Sequence, residues 1–258
     1  MAMAKRTVGM QLIIFGGERV KNDLPGVLDI VAKAGYQAVE TGFFADRLPG
    51  KEFKKMLDDR GLRHVGAHWD ASKTDKLGPI IDWLAETGGT DIPMSDVSLA
   101  KGNLDLYKQR AAEVNKAGAL AAKAGITLSY HNHDWEMKAQ DGRIPLEVLY
   151  ESLDPKCCQA CVDVYWVRDG GGDPTAFVTK WGQRIRILHA KDSYLAETGK
   201  RSFCPVGSGV LDFPAIIKAL GPSPCPWVVV EQDTPNPGQT AESCTQASRA
   251  YVRDTLKL

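Results

Sequence analysis

The chain has 258 residues, of which 43% are hydrophobic and 25% charged. That is the composition of a soluble globular domain, with length enough to bury a large core without disulfide or structural metal. Lys+Arg and Asp+Glu both number 32, so the net charge is zero and the basic footprint of a general nucleic-acid binder is missing. The longest apolar runs, such as Leu12–Phe15 and Val228–Val230, are strand-sized, too short to cross a membrane as a helix. No signal-peptide pattern is present at the N-terminus, and the cytoplasm is the expected location.

Short β-like runs alternate with longer amphipathic stretches from end to end. Val8–Ile14 reads as the first strand and Leu24–Ala34 as the first helix, stopped by Gly35 as a left-handed cap. A second strand over Gln37–Glu40 leads to a charged helix over Lys51–Arg60. The third strand, Arg63–His68, leads to a helix over Leu77–Glu86. A short fourth strand, Asp91–Met94, is followed by a long helix over Leu104–Lys123, whose alanines suit close packing on a sheet. The second half repeats the rhythm: strands Ile126–His131, Cys158–Asp163, Arg184–His189 and Trp227–Glu231, each followed by a helix, over Leu146–Leu153, Pro174–Trp181, Asp212–Leu220 and Gln239–Leu256. Eight β/α units without a linker predict one α/β domain over residues 1–258, a closed (β/α)8 barrel. The C-C-x-x-C of Cys157, Cys158 and Cys161 lies at the sixth strand with no second C-x-x-C after it, which predicts packed, reduced thiols.

In such barrels the active site lies at the C-terminal ends of the strands. Here those ends carry Glu40, His68, His131, His133, Asp163, His189 and Glu231. Apolar strand cores do not account for polar residues gathered at one end. Asp163, His189 and Glu231 offer hard oxygens and an imidazole, a donor set for one divalent metal ion: Mn²⁺, Mg²⁺, Co²⁺ or Zn²⁺. In His131-Asn132-His133-Asp134-Trp135-Glu136, the histidines are two apart and share a strand face. Glu136 can then fold back over the pore.

The segments AGYQAVE (34–40), YHNHDWE (130–136), VDVYW (162–166), HAKD (189–192), VGSGVLDFPAII (206–217) and VVVEQD (228–233) resemble the xylose-isomerase-like TIM barrels of the sugar phosphate isomerase/epimerase group, which share their fold with endonuclease IV. The resemblance implies Asp163, His189 and Glu231 as metal ligands and places His131 where the family has a fourth, glutamate ligand. Either His131 ligates or Glu136 supplies the carboxylate, with Glu136 slightly preferred. Mn²⁺ is the first choice of ion.

The implied activity is that of an isomerase or epimerase on a sugar or keto-sugar, through proton abstraction beside a carbonyl and a metal-stabilised enediolate. Glu231 is one base, and His133, His131 or Glu136 serves the opposite face. Because β-elimination starts with the same proton, a 3-keto-glycoside lyase, hydrolase or dehydratase is the alternative; a non-catalytic sugar-binding barrel is a second. His68, Trp166, Lys191 and Glu40 are expected to bind a small sugar substrate, and the resemblance leaves room for a homodimer. Trp69 and Trp135 also fall near strand ends as sugar-stacking candidates, and Asp233 is placed to orient a ligand. The Val206–Gly209 loop reads as a plain turn, with phosphate binding as the other option. A nuclease of the endonuclease IV type is disfavoured by five histidines only, by Trp166 three residues after Asp163, and by the zero net charge.

Overall fold

The computed structural model describes residues 6–44, 46–195, 201–221 and 223–258. Eight parallel strands form the barrel: β1 (Thr7–Gln11), β2 (Ala38–Thr41), β3 (Arg63–Ala67), β4 (Asp91–Ser95), β5 (Thr127–His131), β6 (Cys158–Asp163), β7 (Ile185–Ala190) and β8 (Trp227–Val230). Each is followed by its helix: α1 (Leu24–Ala34), α2 (Gly50–Asp58), α3 (Gly78–Thr87), α4 (Leu104–Ala122), α5 (Pro145–Ser152), α6 (Pro174–Trp181), α7 (Phe213–Leu220) and α8 (Ala241–Asp254). The strands pair in order around the ring, β1 with β8 (Val8 opposite Val228), and the seam closes where Gly66 of β3 meets Asp91 of β4. Gly66 has to be glycine, because a Cβ there would overlap the Asp91 carbonyl. Among the described residues no helix is long and apolar enough to cross a membrane.

The alternation of strand side chains separates two cores. Leu188, Ala190, Val228 and Val230 point outward and join the large cluster beneath the helices. Ala38, Val65, Cys161, Ile187, Trp227 and Val229 form a smaller cluster inside the ring, where Gly9 leaves room between Val65 and Val229. Two residues further along the same strands, the inward positions become Glu40, Asp163, His189 and Glu231. The interior is therefore apolar below and ionisable above, and strand periodicity alone dictates the switch.

Local chemistry fixes the element ends. Gly35, at φ +93°, closes α1. The Asp212 carboxylate caps α7 through Ala215 N–H (3.0 Å), and a reciprocal Thr240–Ser243 capping box starts α8. Strand β1 is shorter than the sequence predicts: the Gln11 side chain accepts from Ile13 N–H (2.7 Å), and Leu12–Phe15 turns into a 3₁₀ helix. Leu12, Ile14 and Phe15 are buried by that turn, while Ile13 is 47% exposed at the rim. The cysteines follow expectation, all six being free and buried. A short hairpin, Asp192–Leu195 with Arg201–Cys204, extends beyond β7.

Candidate metal centre

Adjacent strands put Asp163 and His189 side by side in register at the top of β6 and β7. His131 ends β5, and Glu231 follows β8 directly. One ligand atom from each of these four buried residues lies within 4.8 Å of all the others. The separations include 2.6 Å between His189 Nδ1 and Glu231 Oε2, and 3.7 Å between His131 Nε2 and Asp163 Oδ2. None of these four atoms makes a hydrogen bond of acceptable geometry. Buried polar atoms are ordinarily partnered, and four that converge without hydrogen bonds, two imidazole nitrogens and two carboxylate oxygens, are a group that could hold a divalent cation.

On Asp163 and His189, the atoms that do not converge are spent on holding those that do. Asp163 Oδ1 accepts from the N–H groups of Tyr165 (2.9 Å) and Trp166 (3.2 Å), capping the short helix Val164–Asp169 and aiming Oδ2 inward. Asn132 clamps the Asp163 backbone, donating to its carbonyl (3.2 Å) and accepting from its N–H (3.0 Å). On the far side of His189, Nε2 faces Glu40 at 3.0 Å, and Glu40 also accepts from His68 Nε2 at 2.6 Å. A carboxylate behind a ligating imidazole fixes its tautomer and leaves Nδ1 to face the ion. Glu40, His68, His189 and Glu231 form a second set within the same spacing, but Glu40 and His68 are bonded to each other there.

Burial and neighbouring charge set the protonation states. Burial pushes the Asp163 carboxyl up to about 6 against the pull of the Lys191 ammonium. For Glu40 burial acts upward too, but His189 and His68 outweigh it and hold the carboxyl at about 2. Glu231 lies well below the usual carboxylate range, burial being overcome by Lys191 and His189. Lys191, itself buried, contacts Glu231 Oε1 (3.0 Å) and Asp233 Oδ1 (2.6 Å) and lies 4.8 Å from the Trp166 ring centroid; these carboxylates raise its pKa despite burial. Burial and the nearby His131 bring His133 down to about 3.

A cavity of about 430 Å³ opens over the centre, lined by His68, His131, His133, Trp166, Lys191 and Glu231, with Asp233 and Gln11 beside them. His133 stacks on Trp135 at 4.3 Å. Two residues do not lie where the sequence reading puts them. Glu136 stands outside the converging set, because its oxygens accept from the Tyr130 hydroxyl (2.9 Å) and His133 N–H (2.7 Å) and lock the turn; His131 takes the position in its stead. Glu40 is fully buried behind His68 and His189 and does not line the cavity. Val206–Gly209 offers no anion site either: the N–H groups of Gly207, Gly209 and Val210 already surround the Asp192 carboxylate at 3.0–3.1 Å. Asn132 and Asp192 escaped the sequence reading, although both sit inside its motifs.

A closed (β/α)8 barrel with imidazoles and carboxylates converging at its C-terminal mouth defines a class of metal-site barrels. The sequence matches the family described as xylose isomerase-like TIM barrel over residues 28–254, and the chain belongs to that family. An inosose dehydratase from Geobacillus thermodenitrificans is 27% identical over 88% of each chain. A sugar phosphate isomerase/epimerase structure from Parabacteroides distasonis superposes with a TM-score of 0.82 at 28% identity, covering 98% of this chain and 96% of that one. The structure of an IolI protein with a bound zinc atom shares the fold, with a TM-score of 0.73 at 13% identity, covering 96% and 97%.

Proposed function

We propose that the protein is a metal-dependent lyase of the dehydratase kind, removing a proton beside the carbonyl of a cyclic polyhydroxy ketone and expelling a β-oxygen. The observation that carries this reading is the meeting of four buried, unpartnered donor atoms under a cavity of sugar size. Relatives named inosose dehydratase support it, and a zinc atom in a protein of the same fold supports the ion. His131, Asp163, His189 and Glu231 would hold one divalent cation. When bound, that ion polarises a carbonyl and its neighbouring hydroxyl and makes the adjacent C–H acidic.

The side chains supply the rest. Glu231, kept ionised by Lys191 and His189, is the base for the C–H proton. The Lys191 ammonium steadies negative charge on the substrate. Trp166 and His133 flank the ring, and His68, oriented by Glu40, hands a proton to the leaving oxygen. Epimerisation, the second reading, needs a base on the opposite face of the ring. Glu136 is engaged by Tyr130 and His133 N–H, which leaves neutral His133 alone for that task and favours elimination.

The test is incubation of metal-loaded protein with an inosose in D₂O. The expected result is loss of water with growing conjugated-enone absorbance. Solvent deuterium in an epimeric ketone, with no water lost, would replace the lyase reading by the isomerase one, and absence of both reactions would end each. Asp163→Asn keeps the helix cap but is expected to lose the ion and about a thousandfold or more of the rate.

A further inference from the structure

Gln11 lies on the cavity wall and takes no part in the proton transfers above. It is the last residue of β1. Gly9, two residues before it, faces the interior between Val65 and Val229, so strand alternation turns Gln11 inward as well. Register sets it opposite Glu40 of β2. On its other side Met10 pairs with Val230, which puts Gln11 level with Glu231 after β8. Gln11 is only 7% exposed, yet it borders the cavity.

Its amide can face only one way. Oε1 accepts from Ile13 N–H at 2.7 Å. A backbone N–H cannot accept in return, so Nε2 takes the opposite side with two protons to give. Among the described residues no acceptor receives them. Other polar groups at the cavity are placed differently. Lys191 is bonded to Glu231 and Asp233, and His68 Nε2 to Glu40. Arg47 and Ser95 also border the space, but the Arg47 guanidinium is exposed over the Phe44 ring and Ser95 is half-buried, so solvent serves both.

A ligand that fills the cavity takes water away from Gln11 Nε2, and a desolvated donor left without an acceptor costs free energy. The Ile13 bond fixes the amide plane beforehand, so little freedom is lost when the donor is used. We propose that Gln11 is a specificity-determining residue: Nε2 donates to one ring oxygen of the substrate on the β1 side. A ring without an acceptor at that position is discriminated against. The inference rests on the functional reading above for the kind of ligand, a polyhydroxylated ring.

Binding tests it without chemistry, because myo-inositol and its monodeoxy analogues have no ketone and cannot eliminate water. Calorimetric titration of the full-length protein is expected to show one hydroxyl whose removal weakens binding about tenfold or more. In Gln11→Met the same removal should cost less than about twofold, a cycle that isolates the pairing of that hydroxyl with the amide. Gln11→Glu keeps the acceptor for Ile13 N–H and reverses the preference: a ring carrying an ammonium at that position should bind it better than myo-inositol does. A Gln11 that only ends the strand would give neither result. No binding of myo-inositol, equal affinities across the monodeoxy series, or discrimination unchanged in folded Gln11→Met would overturn the assignment. If Gln11→Met does not fold, the absence of the reversed preference in Gln11→Glu overturns it. The discrimination can hold while the inosose reaction fails, and that reaction can proceed while all the monodeoxy rings bind alike.

Discussion

Both ends of the barrel bury ionisable side chains, and they differ in whether the partners are built in. At the N-terminal end, Asp91 of β4 accepts from Arg186 Nε (2.8 Å) and Nη2 (3.2 Å) of β7, from Trp227 Nε1 (3.1 Å) and from the Thr90 hydroxyl (2.7 Å). Strands β4 and β7 are not neighbours, so this pair ties the base of the ring across its interior. The Arg63 guanidinium lies 4.8 Å from the Trp227 ring centroid and covers it. At the C-terminal end, Asp163, Glu231 and His189 each keep one atom without a hydrogen bond, and His131 keeps both ring nitrogens so. Leaving a buried polar group unmatched costs free energy. A carboxylate matched on every side at one end, against imidazole and carboxylate atoms that converge without hydrogen bonds at the other, is the contrast a binding site would leave.

The comparison is broken most forcefully at the satisfied end. Asp91→Ala strands Trp227 Nε1 and leaves Arg186, whose side chain is 32% exposed, to solvent on one side only; the cost is about 3 kcal/mol, the low end for breaking a buried ion pair. Urea unfolding should show that loss with metal content unchanged. The mirror substitution, Asp163→Asn, should lower the urea midpoint of metal-free protein by clearly less than Asp91→Ala does, since Oδ1 keeps its helix cap and Oδ2 has no hydrogen bond to lose. If Asp91→Ala proved harmless, or Asp163→Asn as damaging as it, the contrast between structural and binding ends would collapse.

The alternation of strand and helix, with glycines at the helix stops, made the architecture legible, because each is a local signal. The gathering of Asp163, His189 and Glu231 was legible for the same reason: in a parallel barrel, strand ends share one rim. Direction of a side chain beyond a strand end is not local. Glu136 reads as a carboxylate able to reach the pore, but whether it turns inward depends on the Tyr130 hydroxyl and the His133 amide that claim it. Glu40 is similar: its place at the end of β2 is readable, its position behind two imidazoles is not. Leu12–Phe15 has the composition of a strand, and only the Gln11 side chain, competing for Ile13 N–H, ends β1 early. Val206–Gly209 reads as a plain turn, and its N–H groups wrap an anion that is not local to it, the Asp192 carboxylate of the chain itself.

A pH titration sharpens the comparison from within the site. Burial raises the Glu136 carboxyl from 4.5 to about 7 against its hydrogen bonds from His133 N–H and Tyr130. The folded chain therefore binds this proton more tightly than the unfolded chain does. The stabilisation is whole below about pH 4.5 and is lost as the pH rises through 7, on the order of 3 kcal/mol across the window. Glu136→Gln keeps an acceptor for His133 N–H and cannot titrate. Its urea midpoint should change less than that of wild type between pH 4.5 and 8, and parallel profiles would show that the buried carboxyl does not govern this window.

The smallest effect tests how the two ends are joined. Glu40 belongs to neither pattern: it is saturated with hydrogen bonds, like Asp91, yet it stands directly behind a side chain with a bare atom. If its work is to hold His189 Nε2 and leave Nδ1 facing the ion, Glu40→Gln should weaken metal affinity about 10–100-fold, read by competition with a chelator, while His189 stays in place. Glu40→Asp, whose shorter carboxylate reaches partway, should recover part of that loss. A purely structural Glu40 would instead lower the urea midpoint of both variants and leave the metal affinity of the folded protein untouched. The two readouts separate because the hydrogen bond to His68 supports the rim of the cavity, and the one to His189 acts on the proposed ligand.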